Sequence, residues 1–484
     1  MAKFNEKNTN LTTNLSGHKA YKMEDKLKLV HYVLTSLFGE EKYYGDTTNE
    51  LVKTAEIVCK AEPKFVSNLA RYARKEFHLR SVSHALTSIV AHTVESKPYI
   101  GVTVNDVVER ADDLTEILAC YINMYGKPIP NGLKKALANN LRKFNEFQIS
   151  KYNGADKKVK FKDILKLTHI KPKTEDESKL FKKILEDKLA VATRWETEVS
   201  ANGNNEQTWE ELIEKNQLGY MAMLRNLRNI INAQPKNIDK VIEKLTNKNE
   251  VLRSKQLPFR FYSAYREIEK LNGFKDKYLD ALETALDLSI ENMPKIKGKT
   301  VIAIDASGSM SSTISFKSDI RCWDLSCLLG VMASKFCEEA LVLTFSSSFL
   351  WNRDDKSEIN VVNVSKRGGI IEQAKNIKFT NGGTPMEAPF KYIIGNKIFA
   401  DRIIILSDNE TNCTEKTIQS FANQYRNLMN KDFWVHAIDL QGYGTQQFCG
   451  KNTNFIAGWS EKIFNFINLA EEGETTLLKT IENY

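Results

Sequence analysis

Apolar side chains recur at helical spacing through the first 295 residues. After a polar arm that ends near residue 20, one predicted helix face carries Leu27, Leu29, Val30, Val33 and Leu37. Pro63 opens the next run, in a position where a helix tolerates its missing donor. Further helical runs are predicted at about 105–124, 131–151, 177–191, 208–231, 236–246 and 259–287.

This succession of short helices predicts an α-solenoid or a closed helical ring, because strand-like alternation does not interrupt it. No fixed sequence period accompanies the helices, and a plain orthogonal helical bundle remains the alternative.

The pattern changes in the last 190 residues or so, where short runs rich in β-branched residues alternate with helical patterns. The predicted strands lie at 299–305, 340–345, 402–407 and 433–438, and the helices near 320–338, 385–395 and 414–429. Such alternation predicts a doubly wound parallel sheet, whose function is expected at the carboxyl ends of the strands. The chain is therefore predicted to be of mixed class, with a helical domain over 1–295 and an α/β domain over 296–484.

Charge is distributed unevenly between these two parts. Residues 1–295 hold 49 Lys and Arg against 40 Asp and Glu, whereas residues 296–484 hold 20 against 21. A polyanionic partner is thus expected to bind the first part.

The cysteines and the hydropathy profile indicate the cellular compartment of the protein. The seven cysteines form no CxxC pair and no Cys/His cluster with metal spacing, which favours a reducing environment. The first residues lack the apolar core of a signal peptide, and no stretch reaches the roughly 18 apolar residues of a membrane span. We expect a soluble, cytoplasmic protein.

The most basic stretch, residues 127–173, contains thirteen Lys and Arg against three acids. Within it Lys135, Arg142 and Lys143 are predicted to project from a helix whose apolar face is buried. Such a density of cations suits the phosphates of RNA or DNA, since each contact releases condensed counterions. A solvated lysine-rich face is the alternative interpretation.

Three further residues in this stretch are candidates for contact with RNA bases or phosphates. His169, next to the helix end marked by Pro172, is placed to donate to phosphate or to stack on a base, although a structural histidine is the ordinary interpretation. Tyr152 and Phe161 have rings that stack on bases in other proteins, but aromatic residues at this spacing more often belong to the core.

Oxygen-bearing side chains follow three segments of the predicted sheet edge. Asp305, Ser307 and Ser309 follow the first strand, Thr384 precedes a helix, and Asp408 follows the isoleucine-rich strand. Carboxylate and hydroxyl oxygens suit a hard divalent cation, with Mg²⁺ the best fit and Mn²⁺ the next.

The five oxygen-bearing residues resemble the metal-ion-dependent adhesion site of von Willebrand factor A domains. Other segments look like the Ro autoantigen family, namely IPNGLKKAL (129–137), KFNEFQISKY (143–152), KDILKLTHIKP (162–172) and DNET (408–411). The resemblance covers nearly the whole chain and implies a TROVE module, a ring of HEAT-like repeats, followed by a von Willebrand A domain. A bacterial or phage Ro homologue is expected.

The family resemblance implies a function in RNA quality control or processing. The ring would hold single-stranded 3′ ends of misfolded or structured non-coding RNA, and its basic outer face would bind small Y RNAs. Lys151 and His169 match family positions implicated in RNA contact. Lys157 and Lys158 are expected to replace a family arginine, although the spacing from Lys151 to His169 is one residue longer than the resemblance implies. Arg142, Lys143, Lys166 and Lys171 are added here from charge and spacing, beside Lys135.

Two other classes of function are an enzyme and a protein-binding scaffold. An enzyme is not expected, since no His-x-His, HExxH, P-loop or Gly-x-Ser-x-Gly pattern occurs and the predicted cation site lacks clustered carboxylates. A metal-dependent protein-binding scaffold without RNA function is the alternative. The resemblance also allows a partner exoribonuclease such as polynucleotide phosphorylase, and a ring closed within one chain suits a monomer.

Overall fold

A computed structural model provides the fold. It describes residues 11–13, 19–21, 24–35, 46–154, 157–190, 194–256, 258–273, 275–291, 293–313, 319–347, 357–408, 411, 418–440, 447–448, 450–457 and 462–484. Within these residues, no helix is both long enough and apolar enough to cross a membrane.

Helices dominate up to residue 290, after one short antiparallel pair, β1 (Leu11–Thr13) and β2 (Lys19–Tyr21). In chain order the helices are α1 (Asp25–Thr35), α2 (Asp46–Ala61), α3 (Pro63–Lys75), α4 (Ser81–His92), α5 (Ile100–Val107), α6 (Ala111–Tyr125), α7 (Asn131–Leu141), α8 (Glu146–Ser150), α9 (Phe161–Thr168), α10 (Glu175–Leu185), α11 (Trp195–Asn202), α12 (Glu206–Glu214), α13 (Tyr220–Ala233), α14 (Asp239–Thr246), α15 (Lys248–Ser254), α16 (Pro258–Glu269) and α17 (Asp276–Ser289).

The predicted helical class is confirmed, but several long runs are each two helices. The run at 208–231 is divided into α12 and α13 near Asn216, and the run at 259–287 into α16 and α17 near Gly273. Both residues have positive φ, +49° and +94°. A left-handed residue ends a helix by turning the chain, and apolar spacing alone does not reveal it.

A six-stranded sheet follows in the order β5-β4-β3-β6-β7-β8, parallel except for the β4–β5 pair. The strands and the helices that accompany them are β3 (Ile296–Asp305), α18 (Cys322–Phe336), β4 (Cys337–Ser347), β5 (Ser357–Val362), α19 (Ile370–Lys375), α20 (Ala388–Gly395), β6 (Arg402–Ser407), α21 (Ile418–Leu428), β7 (Trp434–Asp439), β8 (Thr453–Ala457) and α22 (Lys462–Glu471). Helix α23 (Glu474–Glu482) follows them in the chain but belongs to the helical unit from Thr475 onwards. The predicted α/β sheet is confirmed, with β5 and β8 added at its edges.

Helices cover both faces of this sheet. On one face α20 and α21 contribute Phe390, Phe421 and Tyr425 to a core shared with β3, β4, β6 and β7. Helix α18 packs against β3 and β4 on the other face, where a Cβ on Gly330 would lie 2.6 Å from Ile304 Cδ1. Glycine at this position lets the helix approach the central strand closely.

The chain divides into two compact units. The helical unit comprises Glu24–Arg194 with Thr475–Tyr484, and the mixed unit comprises Trp195–Glu474 with Met1–Met23. The sheet begins at Ile296, yet α11–α17 belong to the same unit as the sheet. In that unit Lys335 Nζ lies 2.7 Å from Asp287 Oδ1, and the Ile371 N–H donates to Glu283 Oε1 at 2.8 Å.

One buried carboxylate organises the core of the helical unit. Asp113, in the first turn of α6, has no solvent exposure. Its oxygens contact Arg80 Nε (2.6 Å), Arg74 Nη2 (3.1 Å), His84 Nε2 (3.0 Å) and the backbone N–H groups of Arg110 (2.8 Å) and Glu109 (3.0 Å). Burial opposes ionisation, but His84 and the two guanidinium groups hold the pKa of Asp113 well below its usual range.

Replacing this carboxylate should destabilise the helical unit strongly. Asp113→Ala removes the buried carboxylate that Arg74, Arg80 and His84 share. Arg74 keeps Glu109 and Arg80 keeps Asp112 as a second anion, and we expect a loss of about 3 kcal/mol in the free energy of unfolding. Asp106→Ala removes the partly exposed partner of Arg71 and should cost about 1 kcal/mol or less. Urea unfolding followed by circular dichroism measures both; equal losses would contradict the central role of Asp113.

The same cluster sets the sign of the pH dependence. Burial lowers the pKa of His84 below its ordinary 6.5, so the folded state holds the neutral ring and acid opposes folding. The depressed pKa of Asp113 acts in the same direction at lower pH, because its stabilisation disappears as the unfolded-state carboxylate is protonated. The free energy of unfolding should therefore decrease as pH drops below about 6.5. In a His84→Gln variant, the part of this decrease that begins near about pH 6.5 should be absent, because no imidazole titrates.

Candidate metal site and candidate nucleic-acid surface

The carboxyl end of β3 carries the centre of the candidate metal site. Asp305 is fully buried. Its Oδ2 accepts a hydrogen bond from Ser407 Oγ at 2.6 Å, and its Oδ1 accepts from the Ser307 N–H at 2.9 Å. β3 lies between β4 and β6 in the sheet, which places Asp305 beside the end of β6.

The two serines of the Asp-x-Ser-x-Ser segment lie together at the mouth of the site. Ser307 precedes a 3-10 turn, Gly308–Ser311, and its Oγ lies 3.1 Å from Ser309 Oγ. Ser307 is buried, whereas Ser309 is exposed. The site is therefore buried at Asp305 and open to solvent at Ser309.

Backbone pairing brings the segment that carries Thr384 against this turn. The Gly308 N–H donates to the Gly382 carbonyl at 2.8 Å, and Ser307 forms a β-bridge with Gly382. A Cβ on Gly382 would lie 1.8 Å from the Ser347 carbonyl oxygen, so only glycine fits. Thr384, two residues later, is consequently held at the site in a buried position.

Asp408 supplies the second buried carboxylate, one residue after β6. Burial, followed by the charge of Asp408, raises the pKa of Asp305 to about 7. Two buried carboxylates beside hydroxyl groups form an all-oxygen set whose negative charge a divalent cation would compensate. The residues present thus fit a divalent metal such as Mg²⁺ or Mn²⁺.

The predicted basic residues of the helical unit differ in whether their side chains already contact protein groups. Lys135 on α7, Lys158, Lys166 on α9 and Lys171 are exposed. No ion pair engages these four ammonium groups in the part of the chain that the structure describes. Helices α7 and α9 pack against each other, and Lys158 and Lys166 line one cavity beside α9.

Three other predicted residues already have protein partners. Lys143 Nζ donates to the Asn105 carbonyl at 2.9 Å, and Lys157 Nζ lies 2.8 Å from Glu116 Oε1. Arg142 Nη2 donates to the Lys171 carbonyl at 2.7 Å. Because α7 ends at Leu141, Arg142 does not continue the exposed stripe that helical spacing predicts; it ties the end of α7 to the segment after α9.

The aromatic candidates are placed as follows. His169 ends α9 with a left-handed backbone, φ +51°, and is exposed. Phe161 is fully buried and therefore belongs to the core. Tyr152 is half-buried under the Arg110 guanidinium, 4.8 Å from its ring centroid, and Lys151 Nζ lies 5.5 Å from the same ring.

Phe147, which sequence reasoning missed, is the large exposed aromatic of this region. It lies on α8 with 60% of its surface exposed, and its carbonyl accepts the Lys151 N–H one turn later. The signal in the sequence was its position between the polar residues Glu146 and Gln148. An exposed ring beside a lysine suits stacking on an unpaired base.

A cavity of about 510 Å³ also opens beside α9. Lys127, Lys158 and Lys166 line it together with Asn123 and Asp163. Lys127 lies in the basic stretch of the sequence but was not among the predicted contacts, because only the fold brings it beside α9.

Two family models match the chain. The TROVE domain matches residues 36–194 and 186–274, and the Ro60 vWA domain matches residues 299–438. The crystal structure of the Deinococcus radiodurans RO (RSR) protein has the same fold, with a TM-score of 0.70 and 14% identity over 93% of this chain and 100% of that one.

Curated relatives match at lower coverage. The RNA-binding protein RO60 of Caenorhabditis elegans is 26% identical over 219 residues, which are 43% of this chain and 32% of that protein. Telomerase protein component 1 of Rattus norvegicus is 21% identical over 340 residues, 52% of this chain and 13% of that protein. The matches thus span about a third of the relatives' own length or less.

The family assignment rests on both domains together. A TROVE match followed by a Ro60 vWA match covers most of the chain, and the shared fold extends over nearly all of it. The chain therefore belongs to the Ro autoantigen family.

Proposed function

We propose that this protein binds RNA without catalysing a reaction, and that the helical unit provides the binding surface. The observation that carries the proposal is the set of exposed lysines on and beside α7 and α9, Lys135, Lys158, Lys166 and Lys171. Unpaired cations at this density gain most from a polyanion, because phosphates replace condensed counterions. The RNA-binding name of the Caenorhabditis elegans relative supports the same partner.

We further propose that single-stranded segments are preferred at this surface. Phe147 offers an exposed ring one turn from Lys151, and His169 is exposed at the end of α9. Rings accept unpaired bases but have no access to stacked ones inside a duplex. The family resemblance makes this proposal more specific: 3′ ends of misfolded RNA would be held in a ring, and Y RNA would bind its outer face.

We propose that the metal site binds a partner protein and does not take part in catalysis. Asp305, Ser307, Ser309, Thr384 and Asp408 would hold Mg²⁺ directly or through water, and the opening at Ser309 would leave a position for an acidic residue of a partner. A partner exoribonuclease such as polynucleotide phosphorylase would be recruited through the RNA or this site. A metal-dependent scaffold without RNA function is the second candidate, favoured by the same buried carboxylates.

Removing Lys151 and His169 should weaken the binding of tailed RNA. For Lys151→Ala/His169→Ala we expect a Kd increase of about tenfold or more with a structured RNA that has a single-stranded 3′ tail. The same RNA without a tail should bind less well to the wild type and change less. Gel shifts at low and physiological salt measure both.

The matched control for that experiment is Lys60→Ala/Lys64→Ala, which removes two exposed lysines elsewhere in the helical unit. Its Kd should stay within about threefold of the wild type, since distant charges are screened over a Debye length. Absence of wild-type binding at either salt would refute RNA function and favour the scaffold.

Phe147→Ala should weaken single-stranded RNA binding without changing its salt dependence. Loss of one stacked base costs about 1–3 kcal/mol, whereas the number of neutralised phosphates is unchanged. The control is Ile57→Ala, an equally exposed apolar residue with 56% exposure. Fluorescence anisotropy over a salt series measures both quantities; an unchanged affinity would exclude Phe147 from the site.

Metal binding should stabilise the mixed unit. Saturating Mg²⁺ should raise Tm, with about 2.7 kcal/mol of stabilisation at a hundredfold excess over Kd. Asp305→Asn should abolish the shift, and so should Gly382→Ala, which removes no ligand but displaces the Thr384 segment. Gly395→Ala, where a Cβ meets nothing within 4 Å, is the control. A shift that survives Asp305→Asn would place the metal elsewhere.

A further inference from the structure

Helices α13 and α16 of the mixed unit border a groove with polar edges. On α13, Leu224, Leu227 and Ile230 are buried, whereas Met221, Arg225 and Arg228 are exposed and follow one another at spacings of four and three residues. On α16, Arg260, Ser263 and Glu267 follow one another at spacings of three and four residues. Each helix therefore presents one line of side chains along the groove.

The groove is a cavity of about 240 Å³ with an apolar floor and a polar rim. Leu224, Leu227 and Ile268, each at most 5% exposed, form the floor. The rim carries Arg225, Arg228, Arg260, Asn229, Gln256, Ser263 and Glu267. Apart from Glu267, every polar side chain of this rim can donate a hydrogen bond.

The charge of the rim is positive. Three guanidinium groups face one carboxylate, and that carboxylate is shared, since Glu267 Oε2 accepts from Arg228 Nη1 at 2.9 Å and Oε1 from Lys270 Nζ at 3.0 Å. Arg225 is exposed and has no hydrogen bond or ion pair to any residue that the structure describes. Helix α13 itself contains no acidic residue that would compensate it.

The use of arginine points to an oxyanion that offers two oxygens to one guanidinium group, such as a phosphate. The chain has 16 arginines against 53 lysines, yet the three cations that line this groove are all arginines. A guanidinium group presents a rigid fork of donors that matches two phosphate oxygens, whereas an ammonium group acts as a point charge. A surface that only needed solubility would follow the composition of the chain.

We propose that the α13–α16 groove binds a phosphate group of a single-stranded RNA chain, with Arg225 and Arg260 as its two principal contacts. The groove would thus be a second RNA contact, in the mixed unit, beside the lysine-rich surface of the helical unit. This inference rests on the proposed function only in assigning the phosphate to RNA; a free nucleotide would offer the same phosphate chemistry.

The test compares charge-matched variants of the full chain. Arg225→Gln/Arg260→Gln removes the two contacts, Arg225→Lys/Arg260→Lys keeps the charge but not the fork, and Arg253→Gln/Lys236→Gln removes two exposed cations outside the groove. Anisotropy with a labelled oligouridine of about 12 nucleotides measures Kd over a salt series. Calorimetry with UMP, and with uridine as the phosphate-free control, measures the groove independently of RNA.

We expect the glutamine pair to raise Kd for oligouridine about tenfold and to reduce the salt slope by about one, while the outside pair changes Kd less than about threefold. The lysine pair should keep the slope but still lose affinity. Equal effects of the groove pair and the outside pair would overturn the inference.

The outcomes also separate this inference from the proposed function. If the wild type binds oligouridine and the groove pair binds it equally well, the groove inference fails and RNA binding stands. If UMP binds in the groove, uridine does not, and RNA affinity is unaffected by the glutamine pair, the assignment to RNA is overturned in favour of a nucleotide. Failure of every RNA to bind refutes the proposed function itself.

Discussion

The buried carboxylate of Asp113 is the interaction on which the helical unit depends. Its five donors join α3, α4 and the segment before α6 to the first turn of α6. Helix α6 in turn contacts α7, α8 and α9, the helices that carry Lys135, Phe147 and Lys166. Cations that contact the phosphates of an RNA chain need fixed positions, and the buried, paired carboxylate of Asp113 helps to fix the helices that carry them.

Charge compensation also distinguishes the two candidate binding regions. In the helical unit, buried charge is paired and exposed lysines on α7 and α9 are not, so the unpaired charge lies where a phosphate can reach it. In the mixed unit, Asp305 and Asp408 place two carboxyl groups in buried positions, where burial and the charge of Asp408 raise the pKa of Asp305. The first arrangement suits an extended anion and the second a small cation, which agrees with two separate binding tasks in one chain.

Much of the fold could be predicted from sequence, because apolar periodicity and β-branched runs are local signals. β3, β4, β6 and β7 were recognisable, whereas β5 was not, since SEINVV is a polar edge strand with little burial. The helix breaks at Asn216 and Gly273 depend on backbone conformation that spacing does not show.

The candidate sites were predictable only in part. Asp305 and Asp408 stand at strand ends and were found by that rule. The partners of Lys143, Lys157 and Arg142, and the exposure of Phe147, follow from packing between helices distant in sequence. The most direct test is crosslinking of the full chain to a 4-thiouridine-labelled RNA with a single-stranded tail, followed by peptide mass spectrometry. We expect crosslinks within residues 127–173; crosslinks confined to residues 296–484 would contradict RNA binding by the helical unit.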